Sequence, residues 1–234
     1  MISLDKLEQE APALVNLAKT ASVSLSKQGL AGQRAAVYLV VDRSYSMRGY
    51  YDDGSVQHLT DQALALSVNL DDDGVVPLVM FDTRPYPTVD VSLSSYQGVV
   101  AAQHRLHGGA NTMGGTLYSH AMANVVEHYA SAGTSDPALV IFQTDGAPQD
   151  AQATADLLAR WSKKPLFWAF VGFGPSPVPF LQRLDTLPGR VVDNASYFHA
   201  GAQPRQIPDA TLYDGLTAEF AAWLPAARAA GVLA

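Results

Sequence analysis

The sequence contains no cysteine. This absence excludes a disulfide framework, a thiolate metal site and a cysteine nucleophile, and it suits a reducing compartment. The first ten residues carry three acidic side chains against one lysine, without the basic segment and apolar stretch of a signal peptide. We therefore expect a cytoplasmic protein.

Basic residues are also scarce. Fifteen Lys and Arg stand against 22 Asp and Glu, which gives a formal net charge of -7. No cluster of basic residues is present, so we expect no binding to nucleic acid, which requires grouped positive charge. No apolar run reaches the roughly 18 residues of a membrane-spanning helix, so we expect no membrane span.

The sequence does contain alternating strand and helix patterns. Short apolar runs predict buried strands at 35–41, 75–81, 138–143, 166–172 and 190–193. Apolar residues at helical spacing predict helices at 59–70, 117–130, 151–161 and 212–230. Such alternation is typical of a doubly wound, Rossmann-like α/β fold, with a mostly parallel sheet and helices on both faces. Residues 88–93 alternate polar and apolar side chains and predict one antiparallel edge strand.

The length of 234 residues predicts a single structural domain. Residues 4–21 carry apolar side chains at intervals of three and four, which predicts an amphipathic helix. We expect residues 1–34 to form an N-terminal helical extension that packs on a core comprising residues 35–234.

Oxygen-bearing side chains follow two of the predicted strands. Asp42, Ser44 and Ser46 come directly after the strand at 35–41, and Asp145 follows the strand at 138–143. Ligands of doubly wound folds bind beyond the carboxyl ends of the strands, so these side chains are expected at one sheet edge. Carboxylates and hydroxyls are suitable ligands for a hard divalent cation such as Mg²⁺.

The spacing of Asp42, Ser44 and Ser46 resembles the Asp-x-Ser-x-Ser signature of von Willebrand factor A (vWA) domains. The metal-ion-dependent adhesion site (MIDAS) of that family adds a threonine and an aspartate from later loops. The resemblance assigns Asp145 as the aspartate and implies a vWA fold with one bound divalent ion, Mg²⁺ or Ca²⁺, or Mn²⁺.

Two threonines of a Gly-rich segment at 108–116 compete for the remaining ligand position. We assign Thr116, because it follows Gly114 and Gly115 and precedes a helical pattern with apolar residues at the family's spacing. Thr112 has neither feature and stays the alternative. The residues before Gly114 are then an insertion in the loop.

Further segments, at 71–77, 141–148, 166–174 and 191–195, resemble the vWA proteins of bacterial tellurium-resistance systems. This resemblance implies a non-enzymatic, metal-dependent protein–protein interaction module in a tellurite or stress response. A partner would supply an Asp or Glu to the metal, and other tellurium-resistance proteins are candidate partners. No residue here is suited to redox chemistry on tellurium.

Four residues near the motif are candidate partner contacts: Tyr45, Met47, Asp52 and Asp53. Tyr45 and Met47 either face a partner or pack under the loop, and the two aspartates are otherwise ordinary turn residues. The six histidines are scattered without a His-x-x-x-His pair, so we do not expect a zinc site.

Two other functions use the same residues. In a Mg²⁺-dependent, phosphatase-like hydrolase Asp42 would be the nucleophile. Such enzymes carry the motif Asp-x-Asp-x-Thr, whereas this chain has Ser44 and Ser46 at the second and third motif positions. An interaction domain whose metal is purely structural, with the partner bound elsewhere, stays open.

Overall fold

The computed structural model describes residues 1–234 and contains one six-stranded sheet. The strand order is β3-β2-β1-β4-β5-β6, and all neighbouring strands are parallel except β3, which runs antiparallel to β2. The predicted fold class, with its antiparallel edge strand, is confirmed. The strands are β1 (Ala36–Asp42), β2 (Val75–Phe81), β3 (Val89–Ser92), β4 (Ala138–Thr144), β5 (Leu166–Phe173) and β6 (Ala195–Gly201).

Nine α-helices surround the sheet. They are α1 (Leu4–Glu10), α2 (Val15–Lys27), α3 (Arg48–Asp52), α4 (Ser55–Leu70), α5 (Val99–Leu106), α6 (Tyr118–Ala132), α7 (Ala151–Trp161), α8 (Pro179–Asp185) and α9 (Asp209–Ala229). Helices α3, α5 and α8 were not predicted, because five to eight residues are too few for a clear helical pattern. None of the nine is both long and apolar enough to cross a membrane.

The alternation of side chains along each strand divides the interior into two cores. In β1, Leu39 and Val41 face the larger core, which α1, α2, α4, α5 and α9 cover. Tyr38 and Val40 face the smaller core, which α6, α7 and α8 cover. Helices therefore cover both faces of the sheet, and the central strands β1, β4 and β5 are almost entirely buried.

The N-terminal segment differs from its prediction. One helix was predicted at 4–21, but the chain breaks at Ala11, where φ is -146°. Pro12 explains the break, because proline has no backbone N–H and disfavours helical geometry in the residue before it. Leu7 and Leu14, on either side, nevertheless join the larger core. The division at residue 34 stays a prediction.

The strand predicted at 190–193 is wrong; the sixth strand begins at Ala195, paired with Trp168. Arg190 instead donates from Nε to the Leu187 carbonyl at 2.7 Å and from Nη2 to the Asp185 carbonyl at 2.8 Å. These bonds fold the segment back onto the end of α8, so it does not extend along β5.

Asp61 on α4 is expected to make stability depend on pH. Burial raises its pKa from 3.8 to about 6, although a 2.8 Å hydrogen bond from Gln57 partly opposes the shift. Because the folded state holds this proton more tightly, the contribution of Asp61 to stability is most favourable below pH 4 and is lost as the pH rises through 6. Asp61→Asn still accepts from Gln57 and should raise the free energy of unfolding by about 1 kcal/mol at pH 7, allowing for partial exposure.

Chemical denaturation of both proteins at pH 4 and pH 7 measures this difference. Asp61→Asn and wild type should differ little at pH 4. Equal stability at pH 7 as well would contradict the assigned role of Asp61.

Candidate metal centre

The candidate site lies where β1 and β4 end side by side. The two strands are parallel neighbours, with Val41 opposite Gln143. Their next residues, Asp42 and Thr144, are therefore adjacent, and the Thr144 hydroxyl donates to Asp42 Oδ2 at 2.6 Å. The loops that carry the predicted ligands thus begin at the same point of the sheet edge.

Asp42 is a fully buried carboxylate without a cationic partner. Its relative exposure is 0%, and none of the protein's ion pairs includes it. The Ser44 backbone N–H donates to its Oδ1 at 2.6 Å. Burial nevertheless raises the pKa of Asp42 to about 7, because the hydrogen bonds compensate only part of the lost hydration. A positive charge beside Asp42 would supply the missing compensation.

A chain of hydroxyls joins the two loops. Ser44 Oγ lies 3.2 Å from Ser46 Oγ, and Ser46 Oγ donates to Asp145 Oδ1 at 2.9 Å. Burial also raises the pKa of Asp145 above its ordinary value. Four of the five predicted ligands, Asp42, Ser44, Ser46 and Asp145, are therefore close together at one end of the sheet.

The fifth predicted ligand, Thr116, lies on a segment that runs between these loops. Ser44 forms a parallel bridge with Gly114, and the Tyr45 N–H donates to the Gly114 carbonyl at 3.0 Å. Two residues on, the Thr116 carbonyl accepts from the N–H of Gln149, which follows β4, at 2.9 Å. Contacts on both sides thus hold the segment at the site.

Thr112 and Thr116 differ in what their hydroxyls bind. Thr112 Oγ1 accepts from Arg43 at 2.7 Å and donates to the His107 carbonyl at 2.6 Å. Thr116 is half-buried, and its hydroxyl makes no hydrogen bond within the protein. The arrangement favours Thr116 as a ligand, since its oxygen is uncommitted, and gives Thr112 a role within its own loop.

Asp150 also holds the loops together, although sequence analysis did not single it out. Its two carboxylate oxygens accept from the N–H groups of Tyr118 and Ser119 at 3.0 and 2.9 Å. Asp150 occupies the N-cap position of α7, but its side chain makes no capping bond to that helix. It caps the N-terminus of α6 instead. This links the residues after Thr116 to the loop that carries Asp145.

Arg43 is the second residue that sequence analysis missed. It is fully buried and donates to Asp82 at 3.1 Å and to Tyr86 at 2.9 Å. Its position in Asp-x-Ser-x-Ser is the variable one, so the motif gave no indication of its role. Asp82 follows β2 and lies at the same edge of the sheet.

The predicted partner contacts divide into two groups. Tyr45 is 66% exposed, but Met47 is fully buried, with its sulfur 3.3 Å from Gln143 Nε2. Including Met47 in the partner surface was therefore wrong: it packs beneath the loop, as the alternative proposed. Asp52 and Asp53 are exposed, and contact roles for these two and Tyr45 stay predictions.

The histidines near the site stack on aromatic rings. His104 stacks on Tyr51 at 4.7 Å between ring centroids, and His107 on Tyr86 at 4.2 Å. Nowhere in the chain do three His, Cys, Asp or Glu side chains cluster as metal ligands. The candidate centre thus depends on hydroxyl oxygens together with two carboxylates, a donor set that suits a hard cation.

Comparison with known families supports the resemblance seen in the sequence. Residues 34–233 match the family model vWA-TerF-like, described as the vWA found in the TerF C terminus. The chain belongs to the vWA-TerF-like family. This vWA domain is also 33% identical over 216 residues to the uncharacterized protein YcbR of Bacillus subtilis, covering 92% of this chain and 88% of YcbR.

Solved structures share the fold of this vWA domain. A von Willebrand factor type A protein from Catenulispora acidiphila superposes with a TM-score of 0.53 at 17% identity, covering 81% of this chain and 42% of its own. Proximal thread matrix protein 1 of the mussel byssus gives a TM-score of 0.51 at 15% identity, covering 80% of this chain and 48% of its own. The vWA domain spans less than half the length of either protein.

Proposed function

We propose that this vWA domain is a metal-dependent protein-interaction module. It binds one divalent cation through five side chains: Asp42, Ser44, Ser46, Thr116 and Asp145. The observation that carries the proposal is the burial of Asp42 without a cationic partner, beside a row of hydroxyls that reaches Asp145. A buried carboxylate is costly unless a positive charge compensates it.

The donor set fits Mg²⁺, Ca²⁺ or Mn²⁺. Three of the five donors are neutral hydroxyls, so the negative charge of the two carboxylates does not exceed the positive charge of a divalent ion. When bound, the cation supplies a positive centre that accepts a carboxylate oxygen from a partner's Asp or Glu. The loops hold the ligands in place through the Asp42–Thr144 and Tyr45–Gly114 contacts, so the partner meets a preorganised site.

The protein's charge favours recognition through a metal. With a formal net charge of -7, the chain has no excess of basic residues to attract an acidic partner. Exposed Tyr45 offers a ring for contact beside the centre, and Asp52 and Asp53 are further candidate contacts. The TerF relationship suggests a cytoplasmic tellurite or stress response, with other tellurium-resistance proteins as candidate partners.

We further propose that the domain is not an enzyme. A phosphatase-like mechanism needs Asp42 to attack a phosphoryl group, but its side chain is fully buried and bound to Thr144 and Ser44. A buried ligand suits metal binding better than nucleophilic attack.

Metal addition is expected to stabilise the wild type and not Thr116→Val. At a free Mg²⁺ concentration 100 times the Kd, binding contributes about 2.7 kcal/mol, or roughly 5 to 10 °C in melting temperature. The measurement is a thermal melt in EDTA and then with Mg²⁺, Ca²⁺ or Mn²⁺, with calorimetric titration for the Kd. Thr134→Val is the matched control, because Thr134 is also half-buried but lies just before β4, at the opposite end of the sheet.

A wild-type protein that shows neither a melting shift nor binding heat with any of the three ions would overturn metal binding. A purely structural metal is distinguished by loading with Mn²⁺ and measuring water-proton relaxation. An open coordination position enhances relaxation, and added acetate, as a carboxylate probe, should reduce the enhancement. If acetate has no effect, the metal is structural and the partner binds elsewhere.

A further inference from the structure

A positive charge lies buried directly behind the candidate metal centre. Arg43 follows Asp42 in the chain and has 0% exposure, and its guanidinium contacts none of the five predicted ligands. Its carboxylate partner is Asp82, with Nη1 3.1 Å from Oδ2. The metal-binding function proposed above assigns no role to this pair.

The guanidinium holds the Gly-rich segment that precedes Thr116. Nη2 donates to the carbonyls of His107 and Gly109 at 2.9 and 2.8 Å, and to Thr112 Oγ1 at 2.7 Å. Nη1 donates to the Thr112 carbonyl at 3.2 Å. Arg43 therefore contacts three successive points of the loop that sequence analysis identified only as an insertion.

The glycines of this segment allow the loop to close around the guanidinium. Gly108 and Gly109 have φ of 91° and 64°, in the left-handed region that favours glycine. A Cβ on Gly108 would also lie 2.6 Å from the Thr112 side chain. The Gly-Gly pair thus permits the close approach of Thr112 and lets His107 and Gly109 present carbonyls to one side chain.

The Arg43–Asp82 ion pair is also connected to the segment that carries Thr116. The Asp82 carbonyl accepts from the N–H of Leu117, the residue after Thr116, at 2.9 Å. Gly114 is packed so tightly on Asp82 that a Cβ there would lie 3.0 Å from Asp82 Cγ. Thr116 therefore lies between two positions, Gly114 and Leu117, that Asp82 fixes.

Packing alone does not account for Arg43. A buried guanidinium loses its hydration, and Nε of Arg43 has no hydrogen-bond partner. Apolar side chains of similar volume often replace buried ion pairs at no cost or with a gain in stability. What an apolar residue would lose is the set of directional bonds to the Gly-rich segment.

We propose that Arg43 is the positioning residue of the metal centre. Through Asp82 and the carbonyls of the Gly-rich segment it fixes that segment, which pairs with Ser44 through Gly114 and carries Thr116. This inference rests on the proposed metal-binding function. It concerns a residue that does not contact the ion, so its effect is on affinity and loop order.

Arg43→Met is expected to weaken Mg²⁺ binding 10- to 100-fold, the usual effect of losing a residue that orients metal ligands. Calorimetric titration gives the Kd, and hydrogen exchange of residues 107–116 in EDTA should become faster. Arg48→Met is the control: Arg48 is five residues away, 56% exposed, and pairs only with Asp52. It should retain the wild-type Kd and exchange rates.

Because Arg43→Met leaves Asp82 buried and unpaired, two milder variants accompany it. The double variant Arg43→Met/Asp82→Asn removes both charges. Thr112→Val keeps the guanidinium but removes its contact with the Thr112 hydroxyl, together with the bond from that hydroxyl to the His107 carbonyl. We expect the double variant to bind as weakly as the single one, and Thr112→Val to bind about 3-fold more weakly than wild type.

The result that overturns the proposal is a wild-type Mg²⁺ affinity and wild-type exchange at 107–116 in the folded variants. If Arg43→Met and the double variant do not fold, Thr112→Val decides: an unchanged Kd rejects the positioning role. Absence of Mg²⁺ binding to the wild type is a different outcome, because it rejects the metal site itself.

Discussion

Asp42→Asn is expected to abolish stabilisation by Mg²⁺ while leaving the metal-free protein at least as stable as wild type. Most substitutions at fully buried positions reduce stability, so a loss of metal response without a loss of stability is a distinctive outcome. In EDTA the free energy of unfolding should be unchanged or higher by about 1 kcal/mol, because a buried charge is removed.

The local hydrogen bonds explain why the fold should tolerate asparagine. The asparagine carbonyl oxygen can still accept from the Ser44 N–H. In the wild type the Thr144 hydroxyl donates to the Asp42 carboxylate, and in the variant the asparagine amide can donate to that hydroxyl instead. The neutral amide is a poor substitute for a carboxylate opposite a divalent ion. Metal affinity and fold stability are thus separated at this one position.

Thermal melts in EDTA and in Mg²⁺ measure both properties of Asp42→Asn together. Asp52→Asn serves as the control, because Asp52 is an exposed acidic residue close by in the chain. A Mg²⁺ shift in Asp42→Asn equal to that of wild type would remove Asp42 from the ligand set. A large loss of stability in EDTA would instead show that the carboxylate supports the fold.

Phe142→Ala is expected to lower the free energy of unfolding by about 3 to 5 kcal/mol, because it opens a cavity in a fully buried core. Phe142 lies in the middle of β4 and is fully buried in the smaller core. Its ring centroid is within 5.3 Å of those of Phe81, Tyr118 and Phe170. These rings belong to β2, β5 and α6, and the packing of those elements limits how far the rings can move into the space that the substitution leaves.

Denaturant unfolding measures this loss, and Phe142→Leu is the matched control. Leucine fills part of the space, so its cost should be about 1 to 1.5 kcal/mol. Below its melting temperature Phe142→Ala should still bind Mg²⁺, because its side chain points into the core and touches no ligand. A cost under 1 kcal/mol would mean that the core collapses around the missing ring.

Much of the fold was predictable because period and composition are local properties. The central strands carry apolar residues on both faces, and this continuous run occurs where a parallel strand is covered on both sides. The antiparallel edge strand was predictable from its polar alternation. The strand predicted at 190–193 was wrong, because the contacts of Arg190 with the end of α8 decide the path of that segment.

The candidate site was predictable only in part. Asp42, Ser44 and Ser46 lie within five residues, and Asp145 follows a strand that the pattern identified, so their proximity followed from the order of a parallel sheet. Asp150 was missed because it caps α6, 32 residues away in the chain, and its local position pointed to α7. Met47 was misplaced because one turn of 3₁₀-helix points it inward.

By itself the sequence determined the α/β fold class and the vWA resemblance, and it supplied the residues proposed to bind a hard cation. These depend on periodicity and on functional groups close together in the chain. Only the tertiary structure decided that Arg43 holds the Gly-rich segment, that Thr112 is engaged while Thr116 is free, and that Asp42 is buried without a basic side chain as partner. The reason is physical: burial and hydrogen-bond partners are set by chain segments distant in sequence, and no local pattern encodes which segments meet.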